Sequence, residues 1–355
     1  MTIPHVLIAG LGPAGLALAA GCARRGLDIR AVDPRPERTW TATYGLWEPE
    51  WRAAVEAFPA LSGVATRTTR SPAVVAPRRD GSPAHGLVDL PYVVVDPAGL
   101  QRALLSYCPS IVTSEAAPTT AELRALRAED GTIAVVDCRG AEPVGRPAPR
   151  RESPAQSAFG IVVADVEAER FLAGTLSGGA EAGTNADGSG GSGGILMDWR
   201  APVAAAGGPG GVVVGAAARR RRSRRRSFLY AVRLPGGETL LEETDLAGAP
   251  AMGSPELRDR LADRLGLDRG GLAEVARRGH GSVGAAEGGR RPAIEVLRTE
   301  HVRFPLLAAR RSPGTVRIGT TLIGATRNAD LGPERFGVAA GFGHPATGYS
   351  IATTL

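Results

Sequence analysis

Val6-Leu7-Ile8-Ala9 is a short apolar run of the kind a buried parallel strand needs, and Gly10-Leu11-Gly12-Pro13-Ala14-Gly15 follows it at once. The helix formers Leu16-Ala17-Leu18-Ala19-Ala20 come next, and a second run, Asp28-Ile29-Arg30-Ala31-Val32, ends at Asp33. Strand, glycine turn, helix, strand and acid in this order form a complete dinucleotide-binding fingerprint. Gly10 permits the tight turn, Gly12 lets the backbone approach a pyrophosphate, and Gly15 lets the helix pack closely on the strand. The helix amino terminus then offers unpaired N–H groups to the phosphates. Asp33, 18 residues beyond Gly15, is spaced to accept hydrogen bonds from a ribose. The expected fold class is α/β, with a Rossmann-like domain at the amino terminus.

Two competing readings of this segment fail on composition. No charged residue occurs between Met1 and Ala23, and Ala19-Ala20-Gly21-Cys22 resembles a lipoprotein cleavage box, but the basic start of a signal peptide is missing. A membrane span would have to accommodate Gly10, Gly12, Pro13, Gly15 and Gly21. The 355 residues suit about two domains. All 42 basic residues are arginines, which removes Schiff-base and P-loop lysine chemistry. The net charge of +6 is local: seven arginines lie between Arg219 and Arg226, and without them the chain is nearly neutral. That run is read as a solvated loop, with anionic lipid headgroups as the sharper alternative and no nucleic-acid partner expected. Cys22, Cys108 and Cys138 form no CxxC pair, and the five histidines show no HExxH spacing, so neither a disulfide framework nor a metal site is expected. Both facts suit a reducing cytoplasm.

Further along, Tyr92-Val93-Val94-Val95 reads as a strand leading into a helix with Leu100 and Leu104 on one face. Ile133-Ala134-Val135-Val136-Asp137 reads as a buried strand that brings Asp137 to the cofactor. Nine of the 21 residues from Gly174 to Gly194 are glycine, so a flexible loop is expected at 174–194, and a second at 204–227. Gly190-Gly191-Ser192-Gly193-Gly194 matches a nucleophile-elbow pattern only formally, since no strand precedes it. Phe228–Leu234 and Glu238–Thr244 flank Pro235-Gly236-Gly237 as a hairpin, and Ser254-Pro255 opens a helix with Leu257, Leu261 and Leu265 on one face. A discontinuous cofactor domain is expected over 1–150 and 300–355, with a β-rich substrate domain inserted over 151–300. Gly343 and Gly348 fall in a second glycine-rich, cofactor-facing loop. The chain stops as a helix begins after it, and a truncated carboxyl end is expected.

Pro13-Ala14-Gly15 resembles the glycine loop of FAD-binding flavoproteins of the glutathione-reductase type. The ordered blocks Gly10–Gly15, Asp33-Pro34, Trp40, Thr43-Tyr44-Gly45-Leu46-Trp47, Gln156, Ala158–Val162, Met197-Asp198-Trp199-Arg200, Phe228-Leu229-Tyr230, Leu241-Glu242-Glu243-Thr244 and His344–Ser350 together resemble the FAD-dependent lycopene cyclases. That resemblance implies cyclisation of the linear ends of lycopene, or a related linear carotene, to β-ionone rings, with reduced FAD, NADPH or NADH as reductant, and no net redox change. It implies Glu242 as the catalytic acid, with Glu243 beside it and Asp198, Trp199 and Arg200 lining the site. Two loops look inserted relative to the family, and its helical carboxyl-terminal region is missing.

The chemistry asks for a neutral carboxylic acid in apolar surroundings, because protonating an unactivated alkene needs an available proton. Leu240, Leu241 and the like charge of Glu243 are expected to keep Glu242 protonated. The carbocation then needs negative charge or an aromatic face, from an anionic reduced flavin, Asp198 or Trp199. Solvated charges at an ordinary strand end are the plain alternative for Glu242 and Glu243. A flavin monooxygenase or a prenyl or polyene reductase on the same fold is the competing enzyme class. A degenerate, non-enzymatic relative is a third reading. A water-insoluble substrate implies a cytoplasmic enzyme peripheral to the membrane surface.

Overall fold

The computed structural model describes residues 6–80, 82–108, 134–140, 154–176, 194–201, 225–287 and 293–306, with short pieces at 112–114, 118–119, 121–123, 125, 315–318, 321–324 and 334–335. The chain groups into two compact units, one of Met1–Ala65, Val95–Pro154 and Phe304–Leu355, the other of Thr66–Val94 and Ala155–Arg303.

The first unit is built on a parallel sheet. Val6–Ala9 lies between Ile29–Asp33 and Ala134–Asp137, flanked in turn by Val112–Ser114 and Glu334–Arg335. The central strand is apolar throughout because both of its faces are covered: Ile8 and Ala9 are fully buried, and Leu7, Ala9, Val32, Leu123 and Val135 share one core cluster. Helix Pro13–Arg24 follows the glycine turn and buries Leu16, Ala17, Ala19 and Ala20, whose small side chains allow close packing. Helix Pro97–Leu105 is capped by Asp96, whose carboxylate accepts from the amides of Ala98 and Gly99.

A seven-stranded sheet organises the second unit, in the order Arg298–Pro305, Ala155–Ala164, Glu238–Gly248, Phe228–Leu234, Ile195–Asp198, Ala73–Pro77, Pro83–Leu87. Phe228–Leu234 and Glu238–Gly248 form the expected hairpin, with Gly236 and Gly237 at φ of +99° and +85° in the turn. Helices Ser254–Leu265 and Arg269–Arg278 help to cover one face. Leu257, Leu261 and Leu265 are buried in one core with Phe159, Ile161, Ile195, Leu229 and Leu241.

Two local expectations differ from what is observed, and a third set lies outside the described residues. Residues 66–94, expected within the 1–150 span, group with the second unit, because Ala73–Pro77 pairs in parallel with Ile195–Asp198 and forms a hairpin with Pro83–Leu87. The 254–265 helix is capped by Gly253, with Ser254 at its first position and its hydroxyl 2.7 Å from His301 Nδ1. Residues 177–193 and 202–224, most of both glycine-rich and arginine-rich loops, and the 341–350 segment with Gly343, His344 and Gly348 lie outside the described residues.

Candidate active site

The glycine turn has the geometry its residue types imply. Gly10 has φ +93°, and a Cβ there would stand 2.8 Å from the backbone of Arg139. A Cβ on Gly15 would stand 1.9 Å from the Gly10 carbonyl oxygen, so no side chain fits. Gly12 is different: a Cβ there meets nothing within 4 Å, which leaves the loop's outer side open for a ligand to approach the backbone. Gly12 is also the N-cap of the helix and carries no side chain to satisfy its first amides, while Pro13 pre-sets the first turn and Ala14 stays partly exposed. This cradle suits a dinucleotide pyrophosphate.

Asp33 ends the second strand as expected and also braces the turn: Oδ2 accepts the Leu11 amide and Oδ1 the Arg35 amide, each at 2.8 Å. A carboxylate has about four acceptor sites, so room for ribose hydroxyls remains. Asp137 departs from the expected direct contact with a cofactor. It is fully buried, and Arg139 binds both its oxygens, from Nε at 2.9 Å and Nη2 at 3.1 Å. The pair anchors the strand end against which Gly10 packs. Gln101, which no sequence motif marked, ties down the loop after Asp33: its Nε2 donates to the Pro36 and Arg38 carbonyls and its Oε1 accepts from the Trp40 amide.

In the second unit, Glu242 and Glu243 are neighbours on one strand and therefore point to opposite faces of the sheet. Glu242 stands opposite Tyr230 on one side and Gly160 on the other. A Cβ on Gly160 would come within 3.2 Å of Glu242 Cβ and 2.8 Å of Leu240 Cδ1, so glycine makes the room the glutamate occupies. Phe228 shares this face and packs against Trp199 with ring centroids 4.7 Å apart, while the hydroxyls of Tyr230 and Tyr92 are 3.2 Å apart. Glu242 is 3% exposed; its Oε1 accepts from the Thr244 hydroxyl at 2.9 Å, and its Oε2 has no hydrogen-bond partner among the described residues. Burial, and then the charge of Glu300, push the carboxyl up to about 8, against the Thr244 hydrogen bond. The shift favours the protonated form of Glu242 near neutral pH.

Glu243 and Asp198 belong to the other, helix-covered face, which corrects their expected place beside Glu242. Arg264 from the 254–265 helix donates to Glu243 from Nε at 2.7 Å and Nη2 at 3.0 Å, and the Ser227 hydroxyl donates to the same carboxylate at 2.5 Å. Arg260 extends the network to Ser227 and Glu256. Asp198 is held by Arg200, with Nη2 at 2.7 Å, and lies 4.0 Å from Arg264. Glu243 is spent on Arg264, which fastens helix to sheet, and Asp198 on Arg200 at the end of its own strand. The like charge acting on Glu242 comes from Glu300, not Glu243, because alternation along the strand separates the two neighbours. Arg225, at the end of the arginine run, turns inward to Asp245 at 3.0 Å.

Among the described residues, no helix is long and apolar enough to cross a membrane. In its fold the chain is similar to a geranylgeranyl bacteriochlorophyll reductase-like protein from Thermoplasma acidophilum, at 12% identity and TM-score 0.50 over 98% of this chain and 74% of that one. It is equally similar to PqsL of Pseudomonas aeruginosa, at 16% identity and TM-score 0.51 over 99% and 83%. At such identities the likeness shows the fold alone, a Rossmann-type flavoprotein fold with a large second sheet. Among curated proteins, an uncharacterized carotenoid cyclase of Deinococcus radiodurans is 29% identical over 99% of this chain and 67% of its own length. The chloroplastic lycopene beta cyclase of Arabidopsis thaliana is 26% identical over 74% of this chain and 48% of its own. The chain thus spans about two thirds of the first relative and about half of the second. The family model described as lycopene cyclase protein matches residues 5–355. With a match of that extent, the chain belongs to the lycopene cyclase family.

Proposed function

We propose that the protein cyclises the linear end groups of lycopene, or of a closely related linear carotene, to β-ionone rings, with Glu242 as the acid that starts each closure. One observation carries this reading: a fully buried carboxyl whose burial and neighbouring charge favour its protonated form, and whose Oε2 has no hydrogen-bond partner among the described residues. A structural carboxyl in a core is normally paired or solvated, and Glu243, one residue on, is the paired example.

In this reading the Oε2 hydroxyl gives its proton to the terminal double bond, and positive charge develops on a tertiary carbon. Trp199, Phe228 and Tyr230 place aromatic rings on the same side of the sheet, where a cation is attracted by ring quadrupoles. Loss of a ring proton balances the one given, so the product is an isomer of the substrate. The Thr244 hydroxyl holds Oε1 and so fixes the direction of Oε2. Gly10, Gly12, Pro13, Ala14, Gly15 and Asp33 are the residues that would hold FAD. When bound in its reduced, anionic form, with NADPH or NADH as the source of electrons, FAD supplies negative charge without being consumed. Arg264, Glu243, Arg200 and Asp198 hold the strands that carry these groups. Because the substrate is insoluble in water, the protein takes it from a membrane surface while remaining peripheral to it.

The test is expression of the chain in lycopene-accumulating cells with chromatography of the extracted pigments, beside Glu242→Gln. Cyclic carotene from the parent and unchanged lycopene from the variant support the reading. Equal ring formation by both refutes the role of Glu242.

A further inference from the structure

Glu300 is far from Glu242 in the chain, yet the sheet sets the two in one row. Strand Arg298–Pro305 neighbours Ala155–Ala164, which neighbours Glu238–Gly248. Gly160 of the middle strand stands directly opposite Glu242. On the other side of that middle strand, the Leu306 amide donates to the Pro154 carbonyl at 2.9 Å, and the His301 ring meets Phe159 at a centroid distance of 5.0 Å. The two contacts together set Glu300 level with Gly160, while the Leu297 amide, just before the strand, donates to the Val162 carbonyl at 2.8 Å, one residue out of step with that register. His301 shares the helix-covered face with Phe159, so alternation puts Glu300 on the face of Glu242. Strand spacing of roughly 4.8 Å sets the two glutamate backbones about 10 Å apart, and the only residue between them has no side chain.

The two carboxyls differ in what holds them. Arg298 Nη1 donates to Glu300 Oε1 at 2.7 Å, whereas Glu242 receives only the Thr244 hydroxyl. Both groups are buried, Glu300 at 6% exposure. Two carboxylates sharing such a space repel each other, and the nearby guanidinium, that of Arg298, is bonded to Glu300 rather than to Glu242. Among the described residues, the titratable and charged groups placed on this face are Glu300 and Arg298 from the edge strand, Tyr230 from the hairpin and Tyr92, and Arg67 lies on the strand Thr66–Thr69 that packs against Phe228–Leu234. Glu243, Asp198 and Arg264 face the other way.

We propose that Glu300 is the charged partner of Glu242: held as a carboxylate by Arg298, it keeps the proton on Glu242 and leaves a fixed negative charge across Gly160. Glu300 is thus a positioning residue that acts through Glu242, and this rests on the reading of Glu242 as the acid. In the cycle, the O–H bond of Glu242 breaks as a C–H bond forms on the alkene. The negative charge of Glu300 then favours return of the ring proton to Glu242, which exchanges it with solvent before the next closure, and no oxidant or reductant is consumed.

The experiment titrates the infrared C=O stretch of the protonated carboxyl in the flavin-loaded full chain, assigned to Glu242 by its loss in Glu242→Gln. Removing the like charge in Glu300→Gln is expected to lower the proton affinity of Glu242 about tenfold, moving the midpoint down by about one pH unit. Glu300→Asp is expected to restore most of it. Arg298→Gln, which removes the cation that holds Glu300 charged and so lets Glu300 compete for the proton, is expected to move the midpoint down as well. It carries the test if Glu300→Gln does not fold. An unmoved midpoint in the folded variants overturns the proposal, since a merely structural role leaves it in place. The alkaline limb of ring formation is expected to follow the midpoint. A shifting midpoint in a protein that forms no ring would retire the cyclase reading and leave the carboxyl pair standing.

Discussion

Glu242→Gln tests the buried acid without reference to catalysis. In the folded protein the Glu242 carboxyl is pushed up to about 8, whereas its ordinary value is 4.5. Between those values the unfolded chain has released the proton and the folded chain still holds it. A carboxyl raised on folding therefore lowers stability as pH rises through this window, by about 1.4 kcal/mol per pH unit. Across the window the loss amounts to about 5 kcal/mol, undiminished by solvent because the group is fully buried. Glutamine has nearly the same shape, cannot ionise, and can still accept from Thr244. The variant is expected to match the parent near about pH 5 and to gain on it by several kcal/mol near about pH 8. Urea unfolding at a series of pH values, followed by tryptophan fluorescence and circular dichroism with FAD saturating throughout, measures the difference. Parallel stability curves for parent and variant across that range would refute the reasoning.

Other expectations follow from the same geometry. Gly15→Ala, whose Cβ would clash with the Gly10 carbonyl, is expected to deform the turn and abolish the flavin absorbance of purified protein. Gly12→Ala places a methyl in open space, so thermal stability of the FAD-free protein should be unchanged while FAD affinity in a fluorescence titration falls. Arg264→Ala leaves Glu243 buried without its cation, with an expected cost of about 3–5 kcal/mol in urea unfolding, far more than a surface arginine would show.

What could be read from the chain depended on whether the requirement was local. The glycine turn imposes its conditions within six residues, so the need for glycine at positions 10 and 15, the open side at Gly12 and the place of Asp33 at the end of the second strand are legible locally. The hairpin was equally local, with Gly236 and Gly237 between two apolar runs. Two-residue alternation already separates Glu242 from Glu243 once both lie on a strand, and this was the unused signal. The partnership of Glu242 with Glu300 depends on register across three strands and on Gly160, which no nearby residue announces. The inward turn of Asp137 to Arg139, and the transfer of residues 66–94 to the second sheet, likewise depend on partners supplied by the tertiary fold.

Ring formation in heavy water addresses the central claim most directly. The purified full chain, loaded with reduced FAD in membrane vesicles containing lycopene, is run in D2O and its product weighed by mass spectrometry. The account expects one solvent deuterium in each ring formed, with reductant consumed only to reduce the flavin at the outset. Cyclic product without deuterium, or reductant consumed in step with product, would contradict protonation by Glu242.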